Sequence, residues 1–384
     1  MKHGRAGAVA ALCLVLVGCA TDDSTATEPV PVASQLPAAE TSAMLLPAPY
    51  EDREIVTPDW DLEPLHADGV SLAATPGESA LEFSAVDDFG EVLWRAERPL
   101  SCSGFALTTD ADGRSLAILT DLTSSSTAFA ETTASAYDLH TGERVWGPVD
   151  VPGPHRGPGA VFAYAPKSVM GESGPRLALD AATGETVHDE ESGSATVIGE
   201  YHGIFLTSAG RELIATDASG EELWRSEGAE RWTPSVPGAY EHARLGGRYA
   251  LVATASSGAS LVELDTGEVK GEDLRDAAFD IASGTLVMQH GSGLTAVDAD
   301  GNELWQMTLA EGTEIAGLGD VFLFLLEDGS LRVHNVITGA HAQAYAEGDG
   351  RIVYPVTVAD TGAALLLDGG DYRLVMASRG IDAP

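Results

Sequence analysis

The chain has 384 residues, with 59 Asp and Glu against 21 Lys and Arg, and a formal charge of -38. Such acidity argues against nucleic acid as a partner, because phosphate neutralisation needs clustered basic residues, and against a polybasic contact with anionic lipid head groups. It suits solubility in a salty exterior; basic ligands or divalent cations would suit the charge too, but no motif calls for them. Lysine is scarce while Arg, Ala and Gly are plentiful, a compositional hint of a GC-rich genome.

The first residues have the three-part layout of a secretory signal. Lys2 and Arg5 precede an uncharged run from Ala6 to Val17, and small residues close it. That run is too short to span a bilayer. Leu16-Val17-Gly18-Cys19 resembles the lipobox of bacterial lipoproteins. The resemblance implies cleavage of residues 1–18 and diacylglycerol on Cys19, so that the exported chain is held on the outer face of a membrane without crossing it. An ordinary signal with an incidental cysteine, or an uncleaved signal anchor, predicts no thioether instead. With Cys13 removed and Cys19 lipidated, Cys102 has no partner inside the mature chain. It reads as a buried small residue, the alternative being a pair with another chain. The chain is otherwise expected to be a monomer.

Residues 19–58 are rich in Pro, Ala, Ser, Thr and acid, with Pro29, Pro31, Pro37, Pro47 and Pro49 breaking any period. The composition predicts a disordered tether, with the folded domain over 59–384.

One phrase then recurs: a short β-like run, an Asp, a Gly-containing turn, a second run, and often a Trp four residues after the Gly. Its copies are Asp87/Gly90/Trp94, Asp138/Gly142/Trp146, Asp180/Gly184 with His188 in the Trp place, and Asp217/Gly220/Trp224. Asp265/Gly267 without a Trp, Asp298/Gly301/Trp305, and a degenerate copy with Asn335, Gly339 and Gln343 complete the series. The Gly positions recur about every 41 residues, a blade-sized period. Each phrase reads as a hairpin in which Asp bonds turn amides and Gly supplies a positive φ. Further strands are expected at Ser115–Thr120, Ile204–Ser208, Tyr249–Ala255, Thr285–Gln289 and Val321–Leu326; helical periodicity is absent.

Four short strands per period make a propeller blade. The phrase resembles the quinoprotein-type repeat, Ala-x-Asp-x-x-Thr-Gly-x-x-x-Trp, of the propellers of quinoprotein alcohol dehydrogenases and of the BamB lipoproteins. Three strand candidates follow the seventh phrase, at Val356–Ala359, Ala363–Leu367 and Tyr372–Ala377, and Arg53–Asp61 supplies a fourth that joins the chain ends. The expectation is an all-β propeller of eight blades, with seven as the alternative.

The recurring Trp residues fall at one offset, and the resemblance implies that they pack adjacent blades rather than bind a ligand. Trp60 and Trp232 lie outside the phrase, and Trp232, near Pro234 and Pro237, is the better candidate for a surface contact. Asp110-Ala111-Asp112-Gly113 and Asp298-Ala299-Asp300-Gly301 have the start of a calcium loop without its third acid or distal Glu, so plain hairpins are favoured. The histidines show no zinc spacing, Gly171-Glu172-Ser173-Gly174 misses the nucleophile elbow, and no phosphate loop or dinucleotide fingerprint occurs. The enzymes of the quinoprotein family carry a vicinal disulfide and a calcium-bound Asp, and this chain has no adjacent cysteines.

No catalytic residue, metal ligand or cofactor is therefore expected. The leading reading is a lipid-anchored, non-catalytic binding or scaffolding propeller whose partner is a protein or small ligand, with long insertions at Asp121–Ala134, Gly147–Gly159 and Gly228–Gly247 marking a binding face or mere surface drift. The alternatives are a quinone- or metal-dependent propeller enzyme and a BamB-like role in outer-membrane protein assembly.

Overall fold

The computed structural model describes residues 26–100, 104–123, 131–166, 174–234, 244–256, 258–346 and 348–378. Cys13, Cys19, Cys102 and the Gly171–Ser173 part of the elbow-like segment lie outside them.

The alternation of apolar and polar residues between Gly-containing turns folds as expected, into antiparallel sheets repeated around a ring of eight blades. The second blade shows the pattern: Phe105–Thr109 is innermost, followed outward by Ser115–Thr123, Glu131–Asp138 and Arg144–Val151. In the third and fifth blades the innermost position is held by isolated bridges, His155 to Phe162 and Trp232 to Thr254. The seven-blade alternative is corrected by the last sheet. There Tyr354–Val358, Ala364–Asp368 and Asp371–Val375 are joined by Ile55–Val56, antiparallel to the last of them, with Ile55 opposite Val375 and Val56 opposite Leu374. One strand from before the first blade thus closes the ring, so the two halves of the eighth blade are nearly the whole chain apart in sequence.

Apolar faces meet between blades, as in the seam where Val70, Leu72, Phe83 and Trp94 of the first blade pack with Ala117, Leu119 and Tyr137 of the second. Both sheet faces are covered this way, which explains why the middle strands read as nearly continuous apolar runs.

The tether expected over 19–58 is corrected from Thr27 onward. Thr27–Gln35 adds a fifth strand to the outer edge of the first blade, pairing with Glu91–Pro99 through two irregularities in register. Prolines suit this place, because an edge strand needs only one row of amides and bulges relieve the rest. Arg98, buried beneath it, donates to the Thr27 carbonyl. The chain then crosses to the seventh and eighth blades. Met44–Leu45 lies parallel to Arg351–Ile352, and Tyr50, 2% exposed, stacks on Phe324 with ring centroids 6.1 Å apart.

The strap also explains the degenerate seventh phrase. Gln343, in the Trp place, accepts from the Ala48 amide and donates to the Tyr345 hydroxyl, which donates to the Leu46 carbonyl. Where four of the other blades use an indole, this one is stitched to the N-terminal segment.

Candidate functional site

The repeat turns, which join the third strand of each blade to the outermost, share one end of the ring with the turns joining the innermost strand to the second. The Asp carboxylates of the phrase are taken up by their own turns. Asp138 accepts from the His140 and Thr141 amides, Asp180 from the Ala182 amide and the Thr183 hydroxyl, and Asp217 from the Ser219 and Glu221 amides. Asp87 accepts from the Phe89 and Glu91 amides. The two calcium-like segments behave as hairpins: Asp110 accepts from the Asp112 and Arg114 amides, and Asp298 from the Asp300 and Asn302 amides. In the fifth blade the turn carboxylate is Glu263 rather than Asp265. The Gly267 amide donates to the Glu263 carbonyl, and the Thr266 hydroxyl to its carboxylate.

Each repeat Trp reaches into the next blade. The indole N–H groups of Trp94, Trp146, Trp224 and Trp305 donate to the carbonyls of Leu139, Ala181, Leu264 and Val336 at 2.6–2.8 Å. The receiving turn is always the one with a Thr-Gly pair, and its glycine is where the ring lies: a Cβ on Gly142, Gly184, Gly267 or Gly339 would press into the indole of Trp94, Trp146, Trp224 or Trp305. Gly220 and Gly301, in the shorter turns, face blades without a repeat Trp, and a Cβ there would meet nothing within 4 Å.

Gly90 shares the turn geometry of the other repeat glycines but has a different neighbour. It has the expected positive φ, +77°, and its amide donates to the Asp87 carbonyl. Its neighbour is the eighth blade, which has no Trp. A Cβ on Gly90 would therefore meet Val56 Cγ2 at 3.3 Å and Met376 Sδ at 3.4 Å rather than an indole. Its carbonyl accepts from the Leu36 amide, so this glycine serves the ring closure and the N-terminal strap. The physical reason is the order of the ring: the first turn packs on the last blade, which is completed by a strand outside the repeat.

Trp and Thr-Gly turn are two halves of one inter-blade joint, and the indole N–H groups are engaged in it. Trp232 is corrected as well. It is 2% exposed, with its indole N–H donated to the Arg211 carbonyl, and so offers no surface contact. Trp60 is buried with its indole N–H on the Ser84 hydroxyl.

The polar groups that sequence reading missed sit near the ring's inner strands. Glu200 is buried. Its carboxylate accepts from the Thr108 hydroxyl of the second blade, the Ala160 amide of the third and the Gly203 amide of its own turn. Burial pushes its carboxyl above the usual range, with these donors partly opposing the shift. Asp276 is likewise pushed up by burial although Arg244 lies 3.1 Å away. At the closure, Asp88 is 2% exposed and takes His66 at 3.0 Å and the Thr361 hydroxyl. Burial would raise its carboxyl, but the bonds and charge of His66 and the Thr361 bond outweigh it and hold it low. Nothing but spacing in three dimensions links these residues, so no sequence motif marks them.

His155, His188, His202 and His334 are all pushed below the usual imidazole range, burial being the largest cause in each. Each is kept neutral in the fold and protonates more readily when unfolded, so its contribution to stability is present above about pH 6.5 and lost as pH falls below it. Raised carboxyls such as Glu200 act oppositely, but only nearer their own lower range. Urea midpoints measured from pH 7.5 to 5.5 should therefore fall, and replacing His188 by Gln should flatten part of that slope.

Among the described residues no group of three or more His, Cys, Asp or Glu side chains is arranged to hold a metal ion. With no adjacent cysteines and the repeat carboxylates committed to turns, the residues present do not fit a calcium-bound quinone.

With the ring and its joints described, comparison with known proteins places it. The family PQQ_2, described as outer membrane protein assembly factor BamB, matches residues 130–349, more than half of the chain. The chain belongs to the PQQ_2 family. The matched span of this PQQ_2 chain contains six of the seven repeat phrases, from Asp138 to Gln343. Among solved structures, BamB from Moraxella catarrhalis is similar at 16% identity, covering 86% of this chain and 98% of that one, with a TM-score of 0.45. The computationally designed Ika8 protein is similar at 12% identity over 82% and 95%, also with a TM-score of 0.45. At these values the likeness adds nothing beyond the propeller already described. No curated protein matches the sequence.

Proposed function

We propose that this propeller is a lipid-anchored, non-catalytic scaffold of the cell envelope that binds a protein partner through the end of the ring opposite the repeat turns. The observation that supports this reading is one long connection, Asp121–Ala134, set on a sealed frame. Asp121–Ala134 joins the middle strands of the second blade, whose paired ends are Thr123 and Glu131, and so belongs to the end away from the repeat turns. Gly147–Gly159 is largely framework, Gly147–Val151 ending the outermost strand of the second blade and His155 bridging to Phe162, and Gly228–Gly247 leaves the same end but finishes at the repeat-turn end, where the Phe279 amide donates to the Arg244 carbonyl and the Leu264 amide to the Arg248 carbonyl; residues 235–243 lie outside the described part. Loops of variable length on a rigid frame are where recognition is usually built. The anchor rests on the lipobox-like Leu16–Cys19. Because Thr27 is already paired to the first blade, eight residues from Cys19 would hold that blade's outer edge within about 30 Å of the membrane.

The family match favours a second, more specific reading, a part in outer-membrane protein assembly of the kind for which the family is described. It requires a host with an outer membrane. Photo-crosslinkers at Glu131 and at Glu221, on opposite ends of the ring, separate the readings in living cells. The scaffold reading expects one discrete envelope protein captured from Glu131 and not from Glu221, and a β-barrel assembly component in that adduct supports the second reading. No adduct from Glu131 would overturn the proposed face.

A further inference from the structure

The N-terminal segment is fastened to the ring in two zones of different strength. Its first zone, Thr27–Gln35, is a fifth strand on a blade that is complete without it. Leu65–Ala67, Val70–Pro76, Ala80–Asp87 and Glu91–Pro99 already make four strands, and Trp94 already joins the last of them to the second blade. Eight of the nine residues of Thr27–Gln35 are exposed, Pro29 being the half-buried one. The pairing with Glu91–Pro99 slips twice, between Thr27 and Val30 and between Pro31 and Ser34. Pro29 and Pro31 have no N–H to give, and Ala33 sits at φ +52°, a left-handed conformation that a side chain disfavours. The side-chain fastenings lie at one end. Arg98 donates to the Thr27 carbonyl, the Thr27 hydroxyl accepts from the Glu97 amide, and Glu28 meets Arg144 at 3.0 Å with the Tyr137 hydroxyl beside it. The Glu28 and Arg144 side chains are 61% and 46% exposed, so water and salt screen the pair.

The second zone begins at the next residue. The Leu36 amide donates to the Gly90 carbonyl, the Ala39 amide to the Ile55 carbonyl and the Thr57 amide to the Pro37 carbonyl, and Ala38 bridges to Val56. Leu36 and Ala39 pack on core clusters of the closing blades. This zone is woven into the strand that closes the ring, whereas the first lies on its surface. Losing the first zone would strand no buried guanidinium, because Arg98 keeps the Glu97 carbonyl and the Tyr137 hydroxyl.

We propose that Thr27–Gln35 is a releasable strap, which leaves the first blade as a unit while the chain from Leu36 onward stays in the ring closure. Segments with few buried contacts and exposed backbone bonds open at low cost, and the change of zone at Leu36 sets where the opening stops. The consequence for reach rests on the anchor reading above. With the strap seated, eight residues separate Cys19 from the first blade; with it released, 17 residues separate Cys19 from Leu36. The greatest distance the chain can span then rises from about 30 Å to about 60 Å. Release also uncovers the outer edge of Glu91–Pro99, which the strap otherwise keeps from pairing with another chain.

Hydrogen exchange read by mass spectrometry, on the full lipidated chain in bilayer nanodiscs, tests the proposal. Peptides within Thr27–Gln35 should exchange together, at least about a hundredfold faster than those covering residues 36–57. Glu28→Ala should speed the strap about two- to fivefold, as an exposed ion pair allows, and leave residues 36–57 unchanged. Val30 and Arg95 stand opposite each other, and Val30→Cys with Arg95→Cys, in a Cys102→Ser background, permits a disulfide across them. Oxidation of that variant should slow strap exchange at least about tenfold, and reduction of the same sample should restore it. Exchange of Thr27–Gln35 as slow as that of residues 36–57, protection that rises gradually from Thr27 to Gln35, or equal exchange in the oxidised and reduced forms would overturn the strap. Intact mass of the same sample reads the anchor separately. A fast strap on an unlipidated chain upholds release and removes only the gain in reach, whereas a slow strap on a lipidated chain overturns release and leaves the anchor standing.

Discussion

Replacing Trp94 by alanine should lower the free energy of unfolding by about 3–5 kcal/mol, the usual cost of emptying a large aromatic site from a core. Trp94 is fully buried, donates its indole N–H to the Leu139 carbonyl at 2.8 Å, and lies in the seam that joins the first two blades. The variant therefore loses packing and leaves a buried carbonyl without its donor. Because each blade is held by its neighbours, the loss should be felt cooperatively, as a lower urea midpoint rather than a separate early transition. Trp224→Ala should cost less, since that indole is only partly buried. Equal stability of Trp94→Ala and the parent chain would mean that the repeat Trp does not hold the blades together.

The second large effect concerns the other half of the same joint. Gly267 has φ +72°, and a Cβ there would lie against the indole of Trp224, 2.6 Å from Cδ2. Gly267→Ala should carry two costs, about 1–2 kcal/mol for the left-handed backbone and a further 1–3 kcal/mol, roughly, for forcing the ring aside. Gly301 has φ +82° and open space around a Cβ. Gly301→Ala should therefore show the backbone cost alone. Thermal unfolding of the two variants separates the terms, and equal losses would contradict the pairing of Thr-Gly turns with indoles.

The features legible in the sequence are those that every blade repeats: the strand runs, the turn with its acid and glycine, and the Trp offset. The closing strand at Ile55–Val56 was legible too, because the last three strands left one position to fill. What escaped was set by context. Pro29 and Pro31 read as tether, yet on a bulged edge strand they pair with the first blade, and Pro29 packs where a Cβ of Gly142 would stand. Gly90 looks like any other repeat glycine, but what it packs against is decided by the blade that closes the ring, far away in sequence. Asp265 looked like the acid of the fifth phrase because it is an Asp near a Gly, but turn length decides the matter and gives the place to Glu263. Trp232 stood among prolines and looked exposed, whereas burial beside Gly228 is decided by the path of the chain between blades.

A non-catalytic, anchored scaffold is the central claim, and intact-mass measurement with an absorbance scan, on protein extracted from native membranes in mild detergent, tests it most directly. The expected result is a chain beginning at Cys19 with a diacyl or triacyl mass added, and no copurifying chromophore or metal. An unlipidated chain would contradict the anchor, and a stoichiometric quinone or calcium ion would contradict the non-catalytic reading.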